Sequence, residues 1–363
     1  MKKIQTILAI LLVCAMPAAA QKKSVHVDGG RFHVQGIAYD KFTGNMYMSF
    51  TSAFFKTDMD GNIIASVGGI NGHLGAMTFD EASRKVFASL ELKDDSIGKG
   101  ISDKMGVQSW SREQAGFYIA VIDVDRLTQM DMKQDEVMSV VKVAEACADY
   151  KAEVSIDGKN LEHRYGCSGI DGVTIGPAFG SNDGTDRYLY VAYGIYGDVT
   201  RTDNDYNILL AYPLDDVLKQ AGRKPSARVL SKPCAKYFVH TGNTTWGVQN
   251  LAYDKASGQL FMAVYAGKKP QWNNYRLFAL KMGQKPFKAN LDGVPYHKGK
   301  SLQVEVCGNW HFKWGSTGLC PLGDGRFYIS QNGKKNGNQY CDAVMYRWTG
   351  SSNPDIAPFK KMK

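Results

Sequence analysis

Short, mostly apolar runs recur along this chain, separated by polar stretches and closed by Asp- and Gly-containing turns. Runs of that length between turns mark strands rather than helices. One unit recurs. Residues 36–40 form an apolar run, the turn Asp40-Lys-Phe-Thr-Gly44 reverses the chain, and residues 45–50 form a second run. The design returns at 76–80 with 85–90, and at 250–254 with 259–264, where Asp254 and Gly258 bound the turn. Looser copies are 172–176 with 188–193 and 318–323 with 326–330. A third strand-like run follows each pair, at 53–57, 117–124, 207–212, 276–281 and 343–348. A fourth is expected in four of the five units, at 62–67, 136–143, 227–230 and 301–306. The last unit lacks one, and residues 24–28 near the start offer a spare. Helix is scarce, with short candidates only at 215–221 and 136–146, the latter competing with a strand.

Internal repetition on this period implies a ring of four-stranded sheets, each too small to bury its faces alone. The chain therefore resembles the β-propeller superfamily over residues 21–363, taken as one domain. The expected fold is all-β, a five-bladed propeller in which the N-terminal strand completes the last blade and removes an open edge. A six-bladed ring with a degenerate blade near residues 226–240 is the alternative. Architecture does not fix function.

The first residues change the setting. Met1-Lys2-Lys3, an apolar stretch and Ala18-Ala19-Ala20 describe a secretory signal ending at Ala20, so a secreted or periplasmic protein is expected. No later run is apolar over a membrane-spanning length. Six cysteines follow that segment, Cys147, Cys167, Cys234, Cys307, Cys320 and Cys341. An even count in an exported chain predicts disulfides, and none of the spacings suits zinc. The formal charge is +9, two of it from Lys2 and Lys3, and the remainder is scattered rather than grouped. Nucleic acid is thereby excluded, and a small molecule or an acidic glycan fits better. A monomer is expected.

In a propeller, loops entering the innermost strand share one face with loops joining the second strand to the third. Aligned entries place Gln35, Asp171, Gln249 and Thr317 at the channel mouth, with His33 and His73 two residues before blade entries. The second set of loops adds Glu91, Tyr193, Tyr196, Arg201, Lys268, Lys269 and Trp272, and an entry segment adds Trp310. Aromatics beside amides and a few charges suit sugar, whose C–H faces stack on rings while hydroxyls bond to amides. His163-Arg164-Tyr165 offers a base, a cation and a phenol, and with Asp171 forms the expected catalytic group for a glycan lyase. Hydrolysis would need two carboxylates. The five-bladed glycosidases carry acidic residues at three successive blade entries, where this chain has Gln35, Gly75 and Asp171, so the likeness stops short of that family. Asp198, Asp203 and Asp205 supply oxygen ligands that would suit calcium. Three functions follow. One is a carbohydrate-acting lyase or hydrolase, another a calcium-dependent phosphohydrolase, and the third a non-catalytic glycan- or protein-binding module.

Overall fold

The computed structural model describes residues 21–181 and 185–363; the expected signal segment lies outside them. The chain is a five-bladed β-propeller. Blade one is Gly36–Asp40, Asn45–Ser49, Phe54–Thr57 and Ile63–Val67, running outward from the axis. Blade two follows with His73–Asp80, Lys85–Leu92, Gly116–Asp123 and Met138–Val143. The inner strands of blades three, four and five are Cys167–Gly176, Thr244–Asp254 and Leu319–Pro321. Each is paired antiparallel with its second strand.

The Asp turns have a local and a long-range cause. Asp40 caps its own turn by accepting from Phe42 N (2.9 Å) and Thr43 Oγ1 (2.7 Å), and Asp80 and Asp254 do the same for Ser83 and Ser257. Each carboxylate then holds the next blade. Arg84 of blade two binds Asp40 at 2.6 Å, Arg187 of blade three pairs with Asp80, and Gly325 N of blade five donates to Asp254 at 3.3 Å. Composition alone made these turns bland; in space they staple the ring.

Apolar faces meet at every blade interface. Tyr47, Phe54 and Val86 pack between blades one and two, Phe87, Phe117 and Val173 between two and three, and Tyr190, Val248 and Met262 between three and four. Phe261 with Phe327, and Met48 with Tyr328, fill the remaining two. Continuous burial on both sheet faces explains why the strands are so rich in apolar residues.

The ring closes as expected, with an addition. Ser24–Gly30 pairs antiparallel with residues 339–344 of Asn338–Trp348, and Val25 and Val27 are buried. Phe359–Lys361 pairs with the remainder of that strand, at residues 346–348. Both ends of the described chain thus share one blade edge.

Several expectations are corrected. No blade forms at 226–240. Val229–Leu230 extends the edge of blade two, and Ala235–His240 is the fourth strand of blade three. Ser301–Gln303 also joins blade three, and Gly308–Trp310 is blade four's fourth strand. The helix Ser96–Met105 was not foreseen. Asp95 accepts from Ile97 N and Gly98 N at its start, and Gly106 (φ 69°) ends it, which outweighs its poor internal propensity. Residues 136–146 divide among the end of a short helix, Gln134–Val137, the strand Met138–Val143 and part of the helix Ala144–Lys151. The six cysteines are unpaired. Cys320 and Cys341 lie on strands separated by a third, about 9–10 Å apart at sheet spacing and beyond disulfide reach.

Phe359 is buried against Phe261, Phe327 and Trp348. Phe359→Ala should therefore cost about 3 kcal/mol, read as a lowered guanidinium midpoint. An unchanged midpoint would show that the last strand contributes nothing to closure.

Candidate functional site

The inner strands of blades two, three and four break register near their entry ends. Pairing skips residues between Leu74 and Met77, between Ile170 and Val173, and between Val248 and Asn250. Bulges of this kind turn a side chain out of the pleat, and Asp171 and Gln249 sit in them. Trp246 adopts φ 64° beside Gly247 at φ 67°, an uncommon conformation for a bulky residue. The result is a cavity of about 190 Å³ at the channel mouth, lined by His33, Gln35, His73, Lys93, Ile97, Asp171, Trp246, Gln249 and Tyr265. The helix Ser96–Met105 roofs one side, tied to blade one by Arg31, which donates to Lys104 O at 3.0 Å.

Behind the cavity wall lies a buried ion pair. Lys93 Nζ is 2.9 Å from Glu91 Oε2, and Glu91 Oε1 accepts from Ile170 N at 2.8 Å. Glu91 reaches blade three only because residue 169 is glycine at φ 134°; a Cβ there would stand 1.9 Å from Oε1. Glu91 Oε2 also accepts from His73 Nδ1 at 3.0 Å, and Asp171 Oδ1 is 3.7 Å from the same nitrogen. Gln249 Nε2 donates to Asp171 Oδ2 (3.1 Å) and to Trp246 O (2.9 Å).

Proton placement follows from burial and charge. Burial lowers the pKa of His73, only partly opposed by Asp171. With Nδ1–H held by Glu91, the neutral ring keeps Nε2 as its acceptor. Burial would lower Lys93, but Glu91, Asp171 and Asp95 outweigh it and raise its pKa above the lysine range. Burial pushes Glu91 up to about 7, while the Lys93 ammonium pulls it back. Asp171 is pushed up to about 7 by burial and then by Glu91's charge. Lys93 contacts Glu91 directly, so of the two carboxylates Glu91 is biased towards ionisation and Asp171 towards its protonated form. Burial, then His73 and Lys104, lowers His33 to about 4; its unprotonated Nε2 accepts from Gln35 Nε2 at 2.9 Å.

The remaining sequence candidates are placed as follows. His163, Arg164 and Tyr165 do not reach this cavity. His163 Nδ1 donates to Tyr150 O (2.7 Å), Arg164 pairs with Asp149 (3.1 Å), and buried Tyr165 bonds His297 Nδ1 (2.8 Å). Together they anchor the helix Ala144–Lys151 and the loop around His297. Tyr193 is buried, donating to Asp149 at 2.8 Å. Tyr196 donates to Asp95 (2.9 Å), and its ring lies between those of His163 and Trp246. Arg201 pairs with Asp203 and donates to the Glu162 and His163 carbonyls. Lys269 is buried against Asp205 at 2.6 Å, and Lys268 is exposed. Trp272 lies at a separate slot between blades three and four, and Trp310 is buried, donating to Asn353 O. Thr317 donates within blade five, to Ser330 and Asn332. Sequence alignment of the entries missed Lys93 and Tyr265, which come from the ends of second strands. For Lys93, its i+2 spacing from Glu91 was the available signal, since alternate strand residues share a face.

Asp198, Asp203 and Asp205 do not gather as a metal site. Asp198 caps Thr200, Asp203 accepts from Arg201 and Tyr296, and Asp205 from Lys269 and Trp272. Among the described residues, the His and carboxylate group close enough to hold an ion is His73, Glu91 and Asp171, within 4.8 Å of one another. Its nitrogen ligand and small number of oxygens do not fit calcium, and Lys93 already supplies a positive charge there. A larger cavity of about 420 Å³ opens at the opposite mouth, but its Arg187 and Lys41 are paired with Asp80 and Glu81.

No sequence-family profile matches this chain, and no curated protein does. In solved structures it is similar to a GH43_1 enzyme from Xanthomonas citri in complex with xylose, at 10% identity and TM-score 0.41 over 93% of this chain and 94% of that one. It is also similar to regucalcin, a calcium-binding protein from Agrobacterium tumefaciens, at 13% identity and TM-score 0.33 over 88% and 95%.

Asp171's folded pKa lies above its ordinary 3.8, so its contribution to stability is full below about pH 4 and is lost as pH rises through 7. Asp171→Asn cannot ionise and escapes that loss. The variant should melt above the parent at about pH 8, by on the order of a few kcal/mol in stability, and converge with it near pH 4. Parallel melting curves across that range would refute the placement of the proton on Asp171.

Proposed function

We propose that this protein is an exported propeller that binds an acidic sugar unit in the channel-mouth cavity and cleaves its glycosidic bond by elimination. The observation that carries this reading is the placement of His73, its Nδ1 held by Glu91 at 3.0 Å, beside Asp171 in one cavity where burial favours the carboxyl's protonated form. His73 Nε2 takes the proton from the carbon beside the sugar's carboxyl group. That C–H electron pair forms the new double bond, the bond to the leaving oxygen breaks, and Asp171 gives that oxygen its proton. Exchange with water in the cavity then removes the proton from His73 Nε2 and restores one to the Asp171 carboxylate, while Nδ1–H stays on Glu91. Gln35, Gln249 and His33 offer hydrogen bonds to the substrate, and Trp246 and Tyr265 offer ring faces.

Hydrolysis is less well supported by the same geometry. It needs two carboxylates flanking the bond, and here Glu91 is buried and neutralised by Lys93 while only Asp171 faces the cavity. The role first read into His163, Arg164 and Tyr165 thus passes to His73 and Asp171.

Incubation with a panel of uronic-acid glycans should raise ultraviolet absorbance from the unsaturated product, and Asp171→Asn or His73→Ala should lower the rate about 10²–10⁴-fold. New reducing ends without that absorbance would replace elimination with hydrolysis, and no product from any glycan would remove the enzymatic reading. A second reading, a divalent metal on His73, Glu91 and Asp171, rests on their proximity. It requires displacing Lys93, so EDTA should leave the melting temperature unchanged; a drop of several degrees would favour the metal.

A further inference from the structure

A second slot lies on the same face, between the outer parts of blades three and four. It encloses about 150 Å³, and His240, Trp272, Asn273, Tyr275 and Asn309 are among its walls. Three segments meet there. The fourth strand of blade three ends at His240, residues 267–275 connect two strands of blade four, and Asn309 lies in that blade's outer strand.

The slot is built before any ligand arrives. Trp272 Nε1 donates to Asp205 at 3.1 Å, and Asp205 is locked by buried Lys269 at 2.6 Å, so the indole's orientation is set by a charge pair beneath the surface. Gly242 (φ 72°) lies against the ring, where a Cβ would come within 2.7 Å of Trp272 Cγ. His240 meets Trp272 edge-on at 5.0 Å. Asn274 Nδ2 donates to Lys269 O and Trp272 O, fixing the loop that carries the ring. A rigid aromatic costs little further order on binding.

The chemistry of the walls selects the ligand. Trp272 and Tyr275 give ring faces, and Asn273, Asn309 and His240 give donors and acceptors around them. No lining side chain is an acid, lysine or arginine. Burial lowers His240's pKa, so its imidazole is neutral near pH 7. Asn273 Nδ2 donates to Tyr275 OH at 3.3 Å, which leaves its carbonyl oxygen to a ligand's hydroxyl; an apolar ligand would make no use of it, and an anion would find no cation. We infer that this slot is a binding subsite for an uncharged saccharide ring, separate from the channel-mouth cavity and independent of the chemistry proposed there.

The test is binding rather than turnover. Isothermal titration of the full chain with neutral glucose and xylose oligosaccharides should show saturable binding that weakens about tenfold or more in Trp272→Ala and in Tyr275→Ala, and is retained in Trp272→Phe. Asp171→Asn should leave it unchanged, which separates this subsite from the cavity at the channel mouth. Circular dichroism verifies that each variant is folded. Absence of binding by the parent chain, affinity untouched by both aromatic truncations, or loss of binding in Asp171→Asn would each overturn the inference.

Discussion

Closure of the ring is the constraint on which everything else in this structure rests. Four-stranded sheets of this size cannot bury their own faces, and the apolar residues along their strands are satisfied only by the next blade. The buried Asp turns convert that dependence into geometry. Asp40, Asp80 and Asp254 each order a local turn and at the same time bind the following blade. The blades are thus held on the face away from the channel-mouth cavity. The loops around that cavity are then free to carry bulges, an insertion helix and a tryptophan at positive φ.

Within that frame, one buried ion pair organises the channel mouth. Lys93 and Glu91 come from the same strand end, yet Glu91 is shared among an ammonium, a blade-three amide and His73. Removing either charge would leave the other unpaired in a dry environment, a strongly unfavourable change. Because the pair is self-neutralising, Asp171 is the group whose proton is set by the surroundings. Gln249 and the entry bulge of blade three aim it inward. Structure and protonation are therefore one arrangement.

Much of the fold was legible in the sequence because the Asp-to-Gly turn and the short apolar runs on either side of it are local properties. Inner and second strands followed from them directly. Fourth strands were less legible: 227–230 and 301–306 yield only the short strands Val229–Leu230 and Ser301–Gln303, and sequence does not say which blade so short a strand joins. Aligned entries also found Gln35, His73, Asp171 and Gln249, since equivalent positions in a repeat reach equivalent places. The density of reactive types at His163, Arg164 and Tyr165 misled for the opposite reason. Adjacent residues point apart, and each of these found its own partner in Tyr150, Asp149 or His297. Lys93 and Tyr265 lie at the ends of second strands, so an alignment of inner-strand entries could not single them out.

The shared edge of the last blade bears on how the molecule is made. His26 meets Asp342 across 316 residues, so the final sheet cannot assemble until nearly the whole polypeptide is available. Until then the first strand has no partner, and the strand that awaits it presents a bare edge to any neighbour. Pairing at such separation is slow relative to local hairpins. Folding from the first blade to the last would therefore end in a late step that joins Ser24–Gly30 to Asn338–Trp348. Before that step, a crowded compartment would favour exchange of the N-terminal strand between two chains.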